Sequence, residues 1–321
     1  MSGYLLKGEW QEGWYDTRAS GGEFRRPATA FHSWITADGS SGFKAEPDRY
    51  HLYVSLACPW AHRTLIFRKL KRLDEIISVS VVDPVIGEQG WAFSDAPGCT
   101  PDTANGFQYL RQVYTAADPL YTGRVTVPVL WDKRQRTIAN NESSEIIRML
   151  NSAFDAFTPV AADYYPLALR SRIDEINTFV YERVNNGVYR CGFAGSQPAY
   201  DKAFDVLFAA LDELEVRLAA VRYLVGDEMT EADWRLFTTL VRFDAVYYVH
   251  FKCNLRRIAE YPALSRLLCE LCQVPGVTET IDMEHIKRHY YLSHRHLNPS
   301  GIVPKGPVLD FLPTELAARH R

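Results

Sequence analysis

The stretch YVSLACPWAHRTLIF, residues 53–67, constrains the fold of this chain more than any other. A β-rich run ends within it, and Cys58 and Pro59 stand where a helix opens. Upstream, YHLYVSLA alternates and favours a strand. Downstream, PWAHRTLIFRKLKRL has apolar residues at helical spacing and basic residues toward its end, where they complement the helix dipole. IISVSVVD reads as a second strand. Strand, helix and strand within about thirty residues make a βαβ unit with parallel strands.

The unit continues to residue 151. A long segment, 84–106, carries turn signals such as DAPG and ANG, and FQYLRQVYTA follows as a helix. RVTVPVLWD and RTIAN read as a hairpin pair, and SSEIIRML opens a closing helix. The order βαβ-α-ββα is that of the thioredoxin fold. Pro128 is awkward inside a strand, because proline cannot donate to the ladder. A cis-proline at a strand start accounts for it.

Three further zones flank this 49–151 thioredoxin-like domain. Residues 1–48, rich in Gly, Ser, Pro and aromatics, read as an irregular but packed N-terminal arm. Residues 160–292 read as an all-helical domain, with apolar i, i+3, i+4 spacing in LALRSRIDEINTFVYERV, AYDKAFDVLFAALDELEVRLAA, EADWRLFTTLVRFDAVYYVHF and ALSRLLCELCQ. Thr230 and Asp233 form a capping-box pattern flanked by Met229 and Trp234 as a hydrophobic staple, and Asn-Asn-Gly at 185–187 is expected to break a helix. Residues 293–321 read as an irregular Pro/Gly-rich tail. The expected fold class is an α/β thioredoxin-like N-terminal domain plus an all-α C-terminal domain.

Composition excludes several function classes. With 321 residues, 47% of them hydrophobic, the chain is natural for two domains. A net charge of −3 without a long basic run argues against nucleic acid as a main partner. No apolar run reaches the ~18–20 residues of a membrane span, and the N-terminal residues lack the apolar core of a secretory signal. Six scattered cysteines suit a reducing cytosol rather than a disulfide framework, so a cytoplasmic location is expected.

Cys58 carries the chemistry. As the N-cap residue it places Pro59 at N1, where a missing N–H costs nothing. The first-turn amides and the helix dipole then favour thiolate over thiol, with His62 and Arg63 one turn on. A Cys-x-x-Cys partner would stand at position 61, which is Ala61. A lone thiolate that attacks a sulfur is left as a mixed disulfide, and release requires an outside thiol, for which glutathione is the cytosolic candidate. NES at 141–143 supplies a matching site. Ser143 offers an amide and hydroxyl to a carboxylate at a helix start, and Glu142 offers a partner to an amino group. Val127, before the expected cis-proline, offers a backbone N–H and C=O to a cysteinyl peptide in strand fashion. Cys269 and Cys272 lie in an apolar helical stripe, and His285 and His289 share a helix face without a third ligand, so no metal is expected.

The chain resembles the glutathione transferases, and specifically the Xi class, the glutathionyl-hydroquinone reductases. The resemblance rests on CPWAHR at 58–63, VPVLWD at 127–132, NNESSEIIRMLN at 140–151, NNGVYRCGFA at 185–194 and SHRHLNPSGIVPKGP at 293–307. It implies attack of Cys58 on the sulfur of a glutathionyl-hydroquinone, then release of oxidised glutathione by a second glutathione. It further implies that Trp91 and Arg124 help hold glutathione. Tyr189 and Tyr290, from the helical domain, are expected to face the aromatic substrate, with Tyr291 as the rival of Tyr290 and His294 as a further lining residue. The class forms homodimers. The alternatives are a broader deglutathionylase or thioltransferase like the Omega class, and a non-catalytic binder of aromatic ligands.

Overall fold

The computed structural model describes residues 3–311. The described residues divide into two compact units: 3–14, 27–162 and 279–302 form one, and 15–26, 163–278 and 303–311 the other. Residues 312–321 of the expected tail lie outside the described residues.

The first unit is built on β5 (Tyr50–Val54), β6 (Ser78–Val81), β8 (Val129–Asp132) and β9 (Thr137–Asn140), in the order β6-β5-β8-β9. The β5–β6 pair is parallel, and β5–β8 and β8–β9 are antiparallel. Helices α1 (Pro59–Leu70), α2 (Leu110–Ala117) and α3 (Ser143–Ser152) complete the thioredoxin order. The alternation read in YHLYV is not a half-exposed pattern, because all five residues of β5 are buried. A central strand of a sheet covered on both faces has no solvent side. His51 therefore sits fully buried, with Nδ1 2.7 Å from Ser78 Oγ.

The arm is more regular than its composition suggests. β1 (Gly3–Leu6) and β2 (Glu9–Glu12) form a hairpin, and β1 also pairs with β7 (Gly123–Arg124). Short β3 (Ile35–Thr36) and β4 (Phe43–Lys44) pair in parallel. The arm also divides: residues 15–26 cluster with the helical unit and the rest with the sheet.

Helix α10 (Met283–Ser293), expected with the helical domain, clusters with the sheet instead. One face of it explains why. His285 Nε2 lies 2.8 Å from Pro97 O, His289 Nδ1 lies 2.8 Å from Pro84 O, and Ser293 Oγ accepts from Ile86 N at 3.0 Å. Residues spaced by four share a helix face. These three dock that face on the 84–97 segment.

The second unit contains α4 (Arg170–Val180), α5 (Gly187–Gly192), α6 (Gln197–Ala220), α7 (Glu231–Arg242), α8 (Tyr248–His250) and α9 (Pro262–Cys272). A π-helical turn at 181–185 follows α4 and ends at Asn185. Asn186 is a turn residue with helical angles, and α5 starts at Gly187, so Asn-Asn-Gly marks the boundary between two helical segments. A second π turn at 243–247 joins α7 to α8. The capping box on α7 is formed. Asp233 accepts from Thr230 N at 2.8 Å and Thr230 Oγ1 at 3.2 Å, and also from Leu224 N at 2.8 Å. Among the described residues no helix is long and apolar enough to cross a membrane.

Two predictions follow from these buried groups. Asp233→Ala removes the acceptor for two buried backbone amides, and urea unfolding at neutral pH is expected to show a loss of about 1–3 kcal/mol. Burial lowers the His51 pKa from 6.5 to about 4, partly opposed by Asp102. The unfolded chain therefore takes up the proton first, and stability falls as pH drops from 6.5 to 4, by at most ~3 kcal/mol. Burial raises Asp233 to about 6, which acts in the opposite direction over the same window. The His51 share is thus read as the difference between wild type and His51→Gln in urea melts across pH 4–7, and equal pH slopes would refute it.

Candidate active site

The chain leaves β5 at Val54 and turns tightly into α1. Cys58 N donates to Ser55 O at 3.1 Å, and Ala57 N to Ser55 Oγ at 3.3 Å. Cys58 is the N-cap of α1 (φ −77°, ψ 123°), with Pro59 at its start and His62 N closing the first helical bond on Cys58 O at 2.9 Å. The half-buried thiol makes no side-chain capping bond to α1. Its Sγ instead donates to Val127 O at 3.5 Å. A thiol is a donor and only a weak acceptor, so a carbonyl is its natural partner.

The Val127–Pro128 peptide is cis. Among the described residues the Val127 N–H has no hydrogen-bond partner, so this backbone keeps a donor and an acceptor at the strand edge. Tyr114, fully buried on α2, fixes the segment. Its hydroxyl donates to Thr126 O at 2.8 Å and accepts from Thr126 N at 3.2 Å and from Asn141 Nδ2 at 3.1 Å. One phenol thereby joins the Val-Pro segment to the Asn-Asn-Glu-Ser turn. Sequence reading missed it, since a tyrosine on an amphipathic helix carries no spacing signal.

That turn presents the start of α3. Glu142 is the N-cap, and its Oε1 accepts from Ser144 N at 3.0 Å and Ser144 Oγ at 2.9 Å, while Oε2 accepts from Thr29 Oγ1 at 3.4 Å. Ser143 is buried at the first helical position, and Arg63 Nη1 donates to its Oγ at 3.4 Å. Arg63 thus ties the first turns of α1 and α3 together, its guanidinium also 4.6 Å from the Trp60 ring. His62, expected beside the thiol as a source of charge, instead places Nε2 2.7 Å from Thr280 Oγ1.

Trp91 is buried and stacked on His289, with ring centroids 5.1 Å apart and planes 18° from parallel. His289 in turn meets Tyr290 and His294 edge-on at 5.1 and 5.4 Å. Arg124 reaches backbone carbonyls. It donates to Gly3 O at 3.2 Å, Gly13 O at 2.6 Å and Trp14 O at 3.0 Å, clamping the N-terminal hairpin that its own strand extends.

The two expected substrate tyrosines belong to different units. Tyr189 lies on α5 of the helical unit, against Phe251 at 5.4 Å, with the Arg26 guanidinium 4.7 Å from its ring. Tyr290, expected from the helical domain, belongs to α10 and hence to the sheet unit. It sits in the Trp91–His289–His294 cluster. Tyr291 is also buried, its phenol pushed up to about 12 by burial. No cluster of three or more His, Cys, Asp or Glu able to hold a metal occurs among the described residues.

The chain is similar to known proteins in sequence and fold. Residues 57–153 match the family model for the glutathione S-transferase N-terminal domain, and residues 197–268 that for its C-terminal domain. Glutathionyl-hydroquinone reductase YqjG of Escherichia coli is 56% identical over 315 residues, covering 96% of each chain. Its glutathione-bound structure superposes with a TM-score of 0.89, at 53% identity over 96% of this chain and 97% of that one. Glutathionyl-hydroquinone reductase PcpF of Sphingobium chlorophenolicum is 57% identical over 306 residues, 95% of this chain and 96% of that one. A Xi-class transferase from Natrialba magadii superposes with a TM-score of 0.92, at 50% identity over 97% and 95% of the two chains.

Tyr114→Phe removes the hydroxyl shared by the half-buried Thr126 backbone and the buried Asn141 amide. A stability loss of about 1–3 kcal/mol is expected in chemical denaturation. An unchanged midpoint would show that the phenol does not hold the two segments.

Proposed function

The chain belongs to the glutathione transferase family, in its Xi class, and on that premise we propose that it reduces glutathionyl-hydroquinones to hydroquinones with glutathione as reductant. The observation that carries the reading is a lone cysteine, Cys58, at the N-cap of α1, its sulfur 3.5 Å from the Val127 carbonyl.

The Cys58 thiolate attacks the sulfur that joins glutathione to the ring. The ring–sulfur bond breaks, its electron pair stays on the ring carbon, and that carbon takes a proton as the hydroquinone leaves. Cys58 is left as a mixed disulfide with glutathione. With Ala61 in place of a resolving cysteine, a second glutathione thiolate attacks this disulfide. Oxidised glutathione departs and the Cys58 thiolate is regenerated, a ping-pong cycle moving two electrons.

The remaining roles belong to the same proposal. The Val127 N–H and C=O pair with the cysteinyl residue of glutathione in strand fashion. Glu142 pairs with the γ-glutamyl amino group, and Ser143 presents its amide and hydroxyl to the neighbouring carboxylate. Trp91, held by His289, covers the tripeptide. Arg124, a guanidinium with five donors, binds a carboxylate while clamping the hairpin. Tyr189 and Tyr290 hydrogen-bond the hydroquinone hydroxyls. The protein acts in the cytoplasm as a homodimer and without a metal.

The test is a discontinuous assay of hydroquinone release from a glutathionyl-hydroquinone with excess glutathione. Cys58→Ser is expected to lose turnover on the order of 10³-fold or more while still binding glutathione. Release at the wild-type rate by that variant would remove the mechanism. Reduction of simple glutathione mixed disulfides by wild type, with no action on the hydroquinone conjugate, would favour the Omega-like alternative.

A further inference from the structure

Part of the N-terminal arm runs beside the turn that presents Glu142, within the same compact unit. Ser33 N donates to Ala139 O at 3.0 Å, and His32 and Asn140 form an antiparallel bridge. Phe31 N donates to Asn141 Oδ1 at 3.1 Å, and Asn141 N donates back to Phe31 O at 3.1 Å. These bonds bring His32 and Thr29 to the N-terminal end of α3.

There His32 closes a ring of polar groups around Glu142. Its Nδ1 lies 3.1 Å from both carboxylate oxygens of Glu145. Glu145 Oε2 also accepts from Asn140 Nδ2 at 2.7 Å, and Asn140 Oδ1 accepts from Glu142 N at 2.7 Å. On the other side, His32 Nε2 lies 3.1 Å from Thr29 O and 3.3 Å from Thr29 Oγ1. Thr29 Oγ1 in turn donates to Glu142 Oε2 at 3.4 Å. Two routes therefore run from one imidazole to Glu142, the shorter-bonded one to its backbone and the other to its carboxylate. A carboxylate and a carbonyl only accept, so the ring satisfies both with a proton on each nitrogen. Glu145 accordingly raises the His32 pKa, with burial opposing it. Among the described residues the donors to the Glu142 carboxylate are Ser144 N, Ser144 Oγ and Thr29 Oγ1, all neutral. Glu145 thus takes the charge of His32, and Glu142 keeps its own for a ligand cation.

We propose that His32 and Thr29 are positioning residues for the γ-glutamyl amino group of glutathione, holding the Glu142 carboxylate where that group meets it. The inference rests on the proposed pairing of Glu142 with the amino group. A glutamate side chain gives up rotamer freedom when it binds a ligand, and tying one of its oxygens beforehand lowers that cost. The arm then serves the site and not only the stability of the sheet unit.

The probe is S-methylglutathione, whose blocked sulfur cannot form a disulfide with Cys58, titrated into the full chain by calorimetry. The control is the same molecule without the γ-glutamyl amino group, S-methyl-glutaryl-cysteinylglycine. Wild type is expected to bind the probe about tenfold or more tightly than the control. His32→Ala is expected to weaken probe binding about fivefold and Thr29→Val about threefold, both leaving the control unchanged, with Thr29→Ser restoring wild-type affinity. The His32 side chain is 46% exposed and Thr29 is half-buried, so neither substitution opens the core. Equal losses for probe and control would assign the two residues a purely structural role and overturn the proposal. So would wild-type affinity for the probe in both His32→Ala and Thr29→Val. A wild type that binds probe and control alike would show instead that Glu142 does not meet the amino group, and the proposal would fall with that reading.

Discussion

The antiparallel pairing of β5 with β8 is the constraint on which the rest depends. Its register sets Tyr53 opposite Val129. Cys58 follows five residues after the first, and Val127 precedes the second by two, so both arrive at the same end of the sheet. A slip of one residue would turn every side chain of β5 to the other face. That strand is buried throughout, so such a slip would put His51 where Leu52 packs, and the hydrophobic cost locks the register.

Around this end of the sheet, single polar groups each serve two segments. The Tyr114 hydroxyl holds both Thr126 and Asn141, and Arg63 holds Ser143 while leaning on Trp60. His289 bonds the Pro84 carbonyl and stacks on Trp91. Glutathione is a flexible tripeptide, and a site that holds it must have its donors and acceptors in place beforehand. The proposed site has this character. Its carbonyl, amide and carboxylate are all main-chain groups or a capping residue, positioned by the fold rather than by free rotamers.

In the proposed site, Arg124 and Glu142 would each meet two demands. Glu142 caps α3, and Arg124 closes the N-terminal hairpin onto β7. A carboxylate has more acceptor sites than a cap uses, and a guanidinium more donors than one carbonyl takes. Structural work and ligand binding are therefore compatible at both positions.

Much of this was legible locally. Strand, N-cap cysteine, N1 proline and helix lie within one short stretch, and each follows from the residue type at its position. The cis-proline and the Thr230–Asp233 capping box were readable for the same reason. The affiliation of α10 was not readable, because His285, His289 and Ser293 find their partners about 190 to 210 residues away in the chain. The Asn-Asn-Gly boundary was readable, but the π turn at 181–185 that leads into it was not. Sequence by itself determined the order of the main elements in the 49–151 domain, the placement of Cys58 and the absence of a resolving cysteine at position 61, because periodicity and capping act between neighbours. Only the tertiary structure decided that Tyr114 brackets the site, that Arg124 clamps carbonyls and that Tyr290 packs with the sheet. Those outcomes depend on which buried donor meets which acceptor, and no local pattern encodes a partner so far along the chain.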